Sequence, residues 1–305
     1  MTIAKYSRDP DAPGPRSRAQ RPVAAATRLH AAQCVCETDA MLTDLLALLA
    51  TALYLAAAGG LARPLLSGRN PLNRLALVLA TIAVALHLGI LLGMHRGALD
   101  LHFFAALSLV ACVVAALTLV VNLTRPVAAL GVIVFPLAAL FLVLDTFVAP
   151  PTAPMQLAWP IKLHVTLALL AFSVLSIAAI LAILLAAQER ALRVRDFGQW
   201  LRALPPLTRT EALMFRLIGG GFALLTAALF SGALFIENIR AQHLVHTTVL
   251  SVVAWLLFGT LLYGRWRHGW RGTRAVNLTL VGMAILALAF FGSKFVLELI
   301  LHRGP

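Results

Sequence analysis

Eight stretches of this chain stay apolar for long enough to cross a lipid bilayer, and that property removes most folds from consideration. They lie near residues 42–62, 72–93, 101–122, 127–148, 161–187, 213–236, 245–264 and 276–300. A helix needs roughly 20 residues to cross about 30 Å of hydrocarbon. Within that hydrocarbon each backbone amide and carbonyl must find its partner inside the protein, which leaves helices and closed barrels. No run alternates apolar and polar residues as a barrel strand does. The fold class expected is therefore all-α, a polytopic transmembrane bundle of about eight helices. Composition agrees, with 61% hydrophobic and 12% charged residues, against about 45–50% and about 25% in soluble domains.

The few charges are placed unevenly. The connections after the first, third, fifth and seventh runs hold thirteen arginines, from Arg63, Arg69 and Arg74 to Arg265, Arg267, Arg271 and Arg274; the opposite connections and the tail hold Arg96, Lys162, Arg240 and Arg303. Cytoplasmic loops carry such an excess, so both ends of the bundle are expected to face outward. The net charge of +13 belongs to these loops, and no aromatic-interleaved basic patch suggests nucleic acid. Residues 1–40 are rich in Pro, Ala and Arg and lack the apolar segment of a signal peptide. They read as a disordered basic tail or a misassigned start ahead of Met41. The membrane domain then covers 41–302. Cys34, Cys36 and Cys112 do not form a C-x-x-C pair.

Polar groups within apolar runs are costly and are usually there for a reason. Lys294, Glu298 and His302 recur at i,i+4 and so share one face of the last helix. Under the expected topology His164, His302, His87, His95, His102, His243 and His246 all fall toward the outer side, and only His268 in the basic turn lies opposite, with His30 in the tail. Clustered imidazoles are the raw material of an axial-ligand pair or a metal site. His87 and Asp145 sit at membrane depth and need partners. No H-E-x-x-H, G-x-S-x-G, Walker A or G-x-G-x-x-G pattern occurs, so no enzymatic activity is expected.

The last half of the chain adds a specific pattern. Leu163-His164-Val165 opens a long helix, followed by Phe215-Arg216-Leu217-Ile218-Gly219, Ser231-Gly232, Val253-Ala254-Trp255-Leu256, Gly269-Trp270-Arg271-Gly272 and Phe291-Gly292. Over roughly 160–302 this resembles the cytochrome c assembly family, the haem-handling membrane proteins of the CcsA type. Pro205-Pro206-Leu207, the run Thr248 to Trp255 and Ala289-Phe290-Phe291-Gly292-Ser293-Lys294 resemble its inner-membrane YpjD branch. The resemblance implies haem as cofactor, with His164 and His302 at the positions of the two outward haem ligands; Glu298, four residues before His302, and His87, at membrane depth, are read from their placement as supporting them. It implies a multi-pass place in the cell inner membrane. The partners implied are the lipid bilayer, haem and other membrane proteins of cytochrome c maturation. A tryptophan-rich segment should lie between the sixth and seventh helices; the chain has none in Glu237–His246, and Tyr263 stands where a further membrane histidine is expected. Two other functions follow from these departures and from the buried polar groups: a non-catalytic accessory subunit acting through a protein partner, and a small-molecule or ion transporter.

Overall fold

The computed structural model describes residues 41–63, 74–95, 102–124, 127–149, 158–195, 204–235 and 245–292. Among them are eight helices long and apolar enough to cross a membrane. They are α1 Met41–Arg63, α2 Arg74–His95, α3 Phe103–Thr124, α4 Ala128–Phe147, α5 Trp159–Arg193, α6 Leu207–Phe235, α7 Val245–His268 and α8 Thr273–Ala287. A π-helical turn, Leu288–Gly292, continues α8. The described residues from Leu46 onward belong to one compact unit, and residues 41–45 are the opening of α1. The tail at 1–40, His243, Lys294, Glu298 and His302 lie outside the described residues.

Local chemistry sets several boundaries. α5 opens with Pro160 in its first turn, where the missing amide hydrogen has no helical partner to lose. α6 starts after Pro205-Pro206, whose last carbonyl accepts from the amides of Arg209 and Thr210. Gly269 and Gly272 hold positive φ angles of 65° and 60°, and they fold the chain tightly from α7 into α8. The sequence places the fifth and sixth spans at 161–187 and 213–236, whereas α5 runs on to Arg193 and α6 begins at Leu207. Hydropathy marks only the apolar part of a helix; the added turns carry polar side chains that bond the neighbouring connection, α7 and the start of α8.

Consecutive helices run in opposite directions. Leu61, late in α1, lies against Gly131, early in α4. His87, late in α2, bonds Ser108, early in α3. His164, early in α5, meets Ser231, late in α6. Glu211, early in α6, pairs with Arg265, late in α7. The bundle thus has a histidine end and an arginine end.

α5 is the central element: it packs against α3, α4, α6 and α8. Leu175, Ile177, Leu181 and Leu185 on it are fully buried. Lipid tails supply no hydrophobic drive between helices, so association relies on close packing and interhelical hydrogen bonds. Gly221 shows this, because a Cβ there would come within 2.6 Å of the Leu175 side chain. α7 presents more of its length outward, with Val249, Leu256, Tyr263 and Trp266 exposed.

Candidate functional site

The histidine end is built by the starts of α3, α5 and α7 and the ends of α2, α4, α6 and α8. His164 lies in the second turn of α5 and is half-buried. Its Nδ1 is 2.9 Å from the backbone oxygen of Ala228 and 3.1 Å from Oγ of Ser231. The Ser231 hydroxyl donates to the same carbonyl at 2.8 Å. A carbonyl only accepts, so the imidazole proton sits on Nδ1. Nε2 of the neutral ring is then an open lone pair, and it has no hydrogen-bond partner among the described residues. Gly232 makes room for the ring, since a Cβ there would stand 2.9 Å from Cε1 of His164. A histidine oriented by a backbone carbonyl through one nitrogen, with the other left as a base, is the usual form of a metal or haem ligand.

His87 is arranged differently. It is fully buried, with Nε2 3.0 Å from Oγ of Ser108 on α3 and Nδ1 3.3 Å from the hydroxyl of Tyr54 on α1. The Tyr54 hydroxyl has no other acceptor among the described residues, so it donates to Nδ1, and the Nε2 hydrogen goes to Ser108. The Tyr54 ring stacks on Phe135 of α4, with ring centres 6.0 Å apart. Both nitrogens of His87 are therefore engaged in joining three helices. Ligation by this residue requires breaking one of the two bonds.

A second imidazole is buried at this end. His102, just before α3, has Nε2 3.9 Å from Oδ1 of Asp145 near the end of α4, and both side chains are less than 10% exposed. Beside it, Phe103 meets Phe291 at 6.0 Å, and Phe172 of α5 meets Phe290 and Phe291 at 5.3 and 5.4 Å. An aromatic cluster therefore joins α3, α5 and the π-helical turn at the end of α8. His246 is exposed. Among the described residues no group of three or more His, Cys, Asp or Glu side chains forms a metal cage. The donor chemistry at His164 would suit holding a haem, with Ala228 and Ser231 orienting the ring.

The opposite end holds an ionic lock. Oε1 of Glu211 accepts from Nη1 of Arg265 at 2.9 Å and from Nε of Arg271 at 3.3 Å. Glu211 is buried. Arg265 also donates to the carbonyl of Trp270 at 3.2 Å and lies 4.6 Å above the Phe215 ring. Trp270 packs onto Gly264 so closely that a Cβ there would overlap the indole. Glu189, near the end of α5, accepts from the hydroxyl of Thr273 at 3.4 Å, which puts a carboxylate at the favourable N-terminal end of α8. Gln188 donates to the carbonyl of Pro205 at 3.2 Å. Reading the sequence singles out His164, His87 and the Gly-Trp-Arg-Gly turn, but not their respective partners Ser231, Tyr54 with Ser108, and Glu211. For Tyr54, Ser108 and Ser231 the signal was there, since each is a polar group in an apolar helix and such groups require a mate.

Comparison with known proteins adds the family context. The family described as cytochrome C assembly protein matches residues 72–301. The inner membrane protein YpjD of Escherichia coli K12 is 35% identical over 169 residues, covering 55% of this chain and 64% of that protein. An uncharacterized 28.8 kDa protein of Azospirillum brasilense is 34% identical over 143 residues, 46% of this chain and 53% of its own length. The cytochrome c biogenesis protein CcsA of Guillardia theta is 25% identical over 190 residues, 54% and 63% of the two chains. The matched region thus spans less than two thirds of these relatives. No solved structure matches.

Proposed function

The chain belongs to the cytochrome c assembly protein family, and from that premise we propose that it is a haem-handling protein of the inner membrane in which His164 would hold the haem. The observation carrying this reading is the fixed tautomer of His164, with Nδ1 held by Ala228 and Nε2 open. The arginine end faces the cytoplasm under the positive-inside rule, and the histidine end with His164 faces outward. His302 and Glu298, which lie beyond the described residues, are the candidates for a second haem-holding residue and for a group that would orient it. His87 supports the site through the packing of α1, α2 and α3. The name of the CcsA relative supports work alongside other membrane proteins of cytochrome c maturation.

Haem, when bound, supplies an iron that accepts the Nε2 lone pair; the protein's part is to orient and hold. Ser231 shares the Ala228 carbonyl with His164 and keeps the ring from turning. The apolar surroundings raise the strength of that contact by excluding water. The test is the absorption spectrum of the purified protein after growth with a haem precursor. A Soret band is expected in the wild type and is expected to be lost or shifted in His164→Ala. No Soret band in the wild type, or one untouched by His164→Ala, would sink the reading.

A further inference from the structure

The exposed face of α7 and the turn that follows it together have the layout of a lipid site. Val249, Val253, Leu256 and Tyr263 are exposed, and their spacing, with exposed Thr260 and Arg267, follows the three- and four-residue steps of one helix face. The stripe is apolar for most of its length. It closes on Tyr263, 56% exposed, and Trp266, 83% exposed, whose rings meet edge-on at 6.4 Å. Tyrosine and tryptophan favour the headgroup level of a bilayer. One position beyond stands Arg267, and across the turn Arg271 and Arg274, all exposed. An acyl-length apolar track and an aromatic collar therefore lead along α7 to Arg267, with Arg274 in the first turn of the helix that follows.

The charge at this end is unbalanced. Among the described residues its carboxylates are Glu189 and Glu211. Glu211 is buried and already serves Arg265 and Arg271, while Glu189 lies against Gly272 and Thr273. Arg267 and Arg274 have no carboxylate partner among the described residues. A soluble phosphate would satisfy the guanidiniums but leave the track bare. A zwitterionic lipid would bring its own ammonium against the arginines.

We propose that this surface binds an anionic phospholipid, its phosphodiester on Arg267 and Arg274 and one acyl chain along the α7 stripe up to Tyr263. Guanidinium matches a phosphate with paired hydrogen bonds, and each basic side chain near the surface adds to the attraction for an acidic lipid.

The protein is reconstituted in phosphatidylcholine nanodiscs doped with phosphatidylglycerol or phosphatidylcholine brominated on the acyl chains. The fluorescence of Trp266 is obtained as the difference between wild type and Trp266→Phe. Brominated phosphatidylglycerol is expected to quench that contribution about five-fold more effectively than brominated phosphatidylcholine. Arg267→Gln with Arg274→Gln is expected to erase the preference while leaving thermal unfolding in detergent unchanged. Equal quenching by the two lipids, or a preference that survives in the double variant, overturns the proposal. So does a dimer in the nanodisc that shields Trp266 from both lipids, which would assign the stripe to a second copy of the chain.

Discussion

The two best-defined histidines of this protein differ in what their nitrogens are doing. His164 spends Nδ1 on a carbonyl and keeps Nε2 free; His87 has both engaged, by Tyr54 and Ser108. A buried nitrogen left without its partner costs about 1–3 kcal/mol. Tyr54→Phe removes only the donor to Nδ1 and should lower stability by that amount, with Ser108→Ala acting similarly from the other side. Because both act through one ring, the losses should not add. Thermal unfolding of the two single variants and the double variant measures this, and simple additivity would show that His87 is no hub. Residue identity made His87 and His164 conspicuous in the sequence, but it could not tell them apart. The difference lies in which side chains of other helices face them, and Tyr54 and Ala228 are 33 and 64 positions away along the chain.

At the scale of elements, all eight spans were legible, because the bilayer demands length and apolarity and the chain records both. The ends were less so. The last turns of α5 and the first of α6 are polar, and nothing in their hydropathy signals a helix; Gln188, Glu189 and Glu211 are helical there because each has a partner on a neighbouring helix or turn. The Gly264–Trp270–Arg271 turn locks α6 to α7 through Glu211. A hydrogen bond to a charged group is worth about 1.5–3 kcal/mol, so Glu211→Gln should destabilise by roughly 2–3 kcal/mol. Arg209→Gln, an exposed arginine outside the lock, should change little. Equal melting temperatures for Glu211→Gln and Arg209→Gln would remove the lock from this account. The aromatic cluster of Phe103, Phe172, Phe290 and Phe291 was not foreseeable from spacing, since it is assembled from three helices far apart in sequence.

For the whole molecule, α5 has the widest consequences. It is a single helix of 35 residues, so at about 1.5 Å per residue it is about 52 Å long. The hydrocarbon core of a bilayer is about 30 Å thick. The apolar part of α5 alone outreaches that core, and a helix in such mismatch tilts or thickens the lipid around it. Because α5 touches α3, α4, α6 and α8, its tilt cannot change without theirs. Bilayer thickness thereby becomes a mechanical input to the bundle. Thermal unfolding in phosphatidylcholine nanodiscs of increasing acyl length should show a stability maximum above the shortest chains, and a flat profile would rule this out. His164 rides near one tip of that rod and Glu189 near the other. The membrane a cell makes would then set the inclination at which the imidazole is offered, a form of tuning that requires no change in the protein.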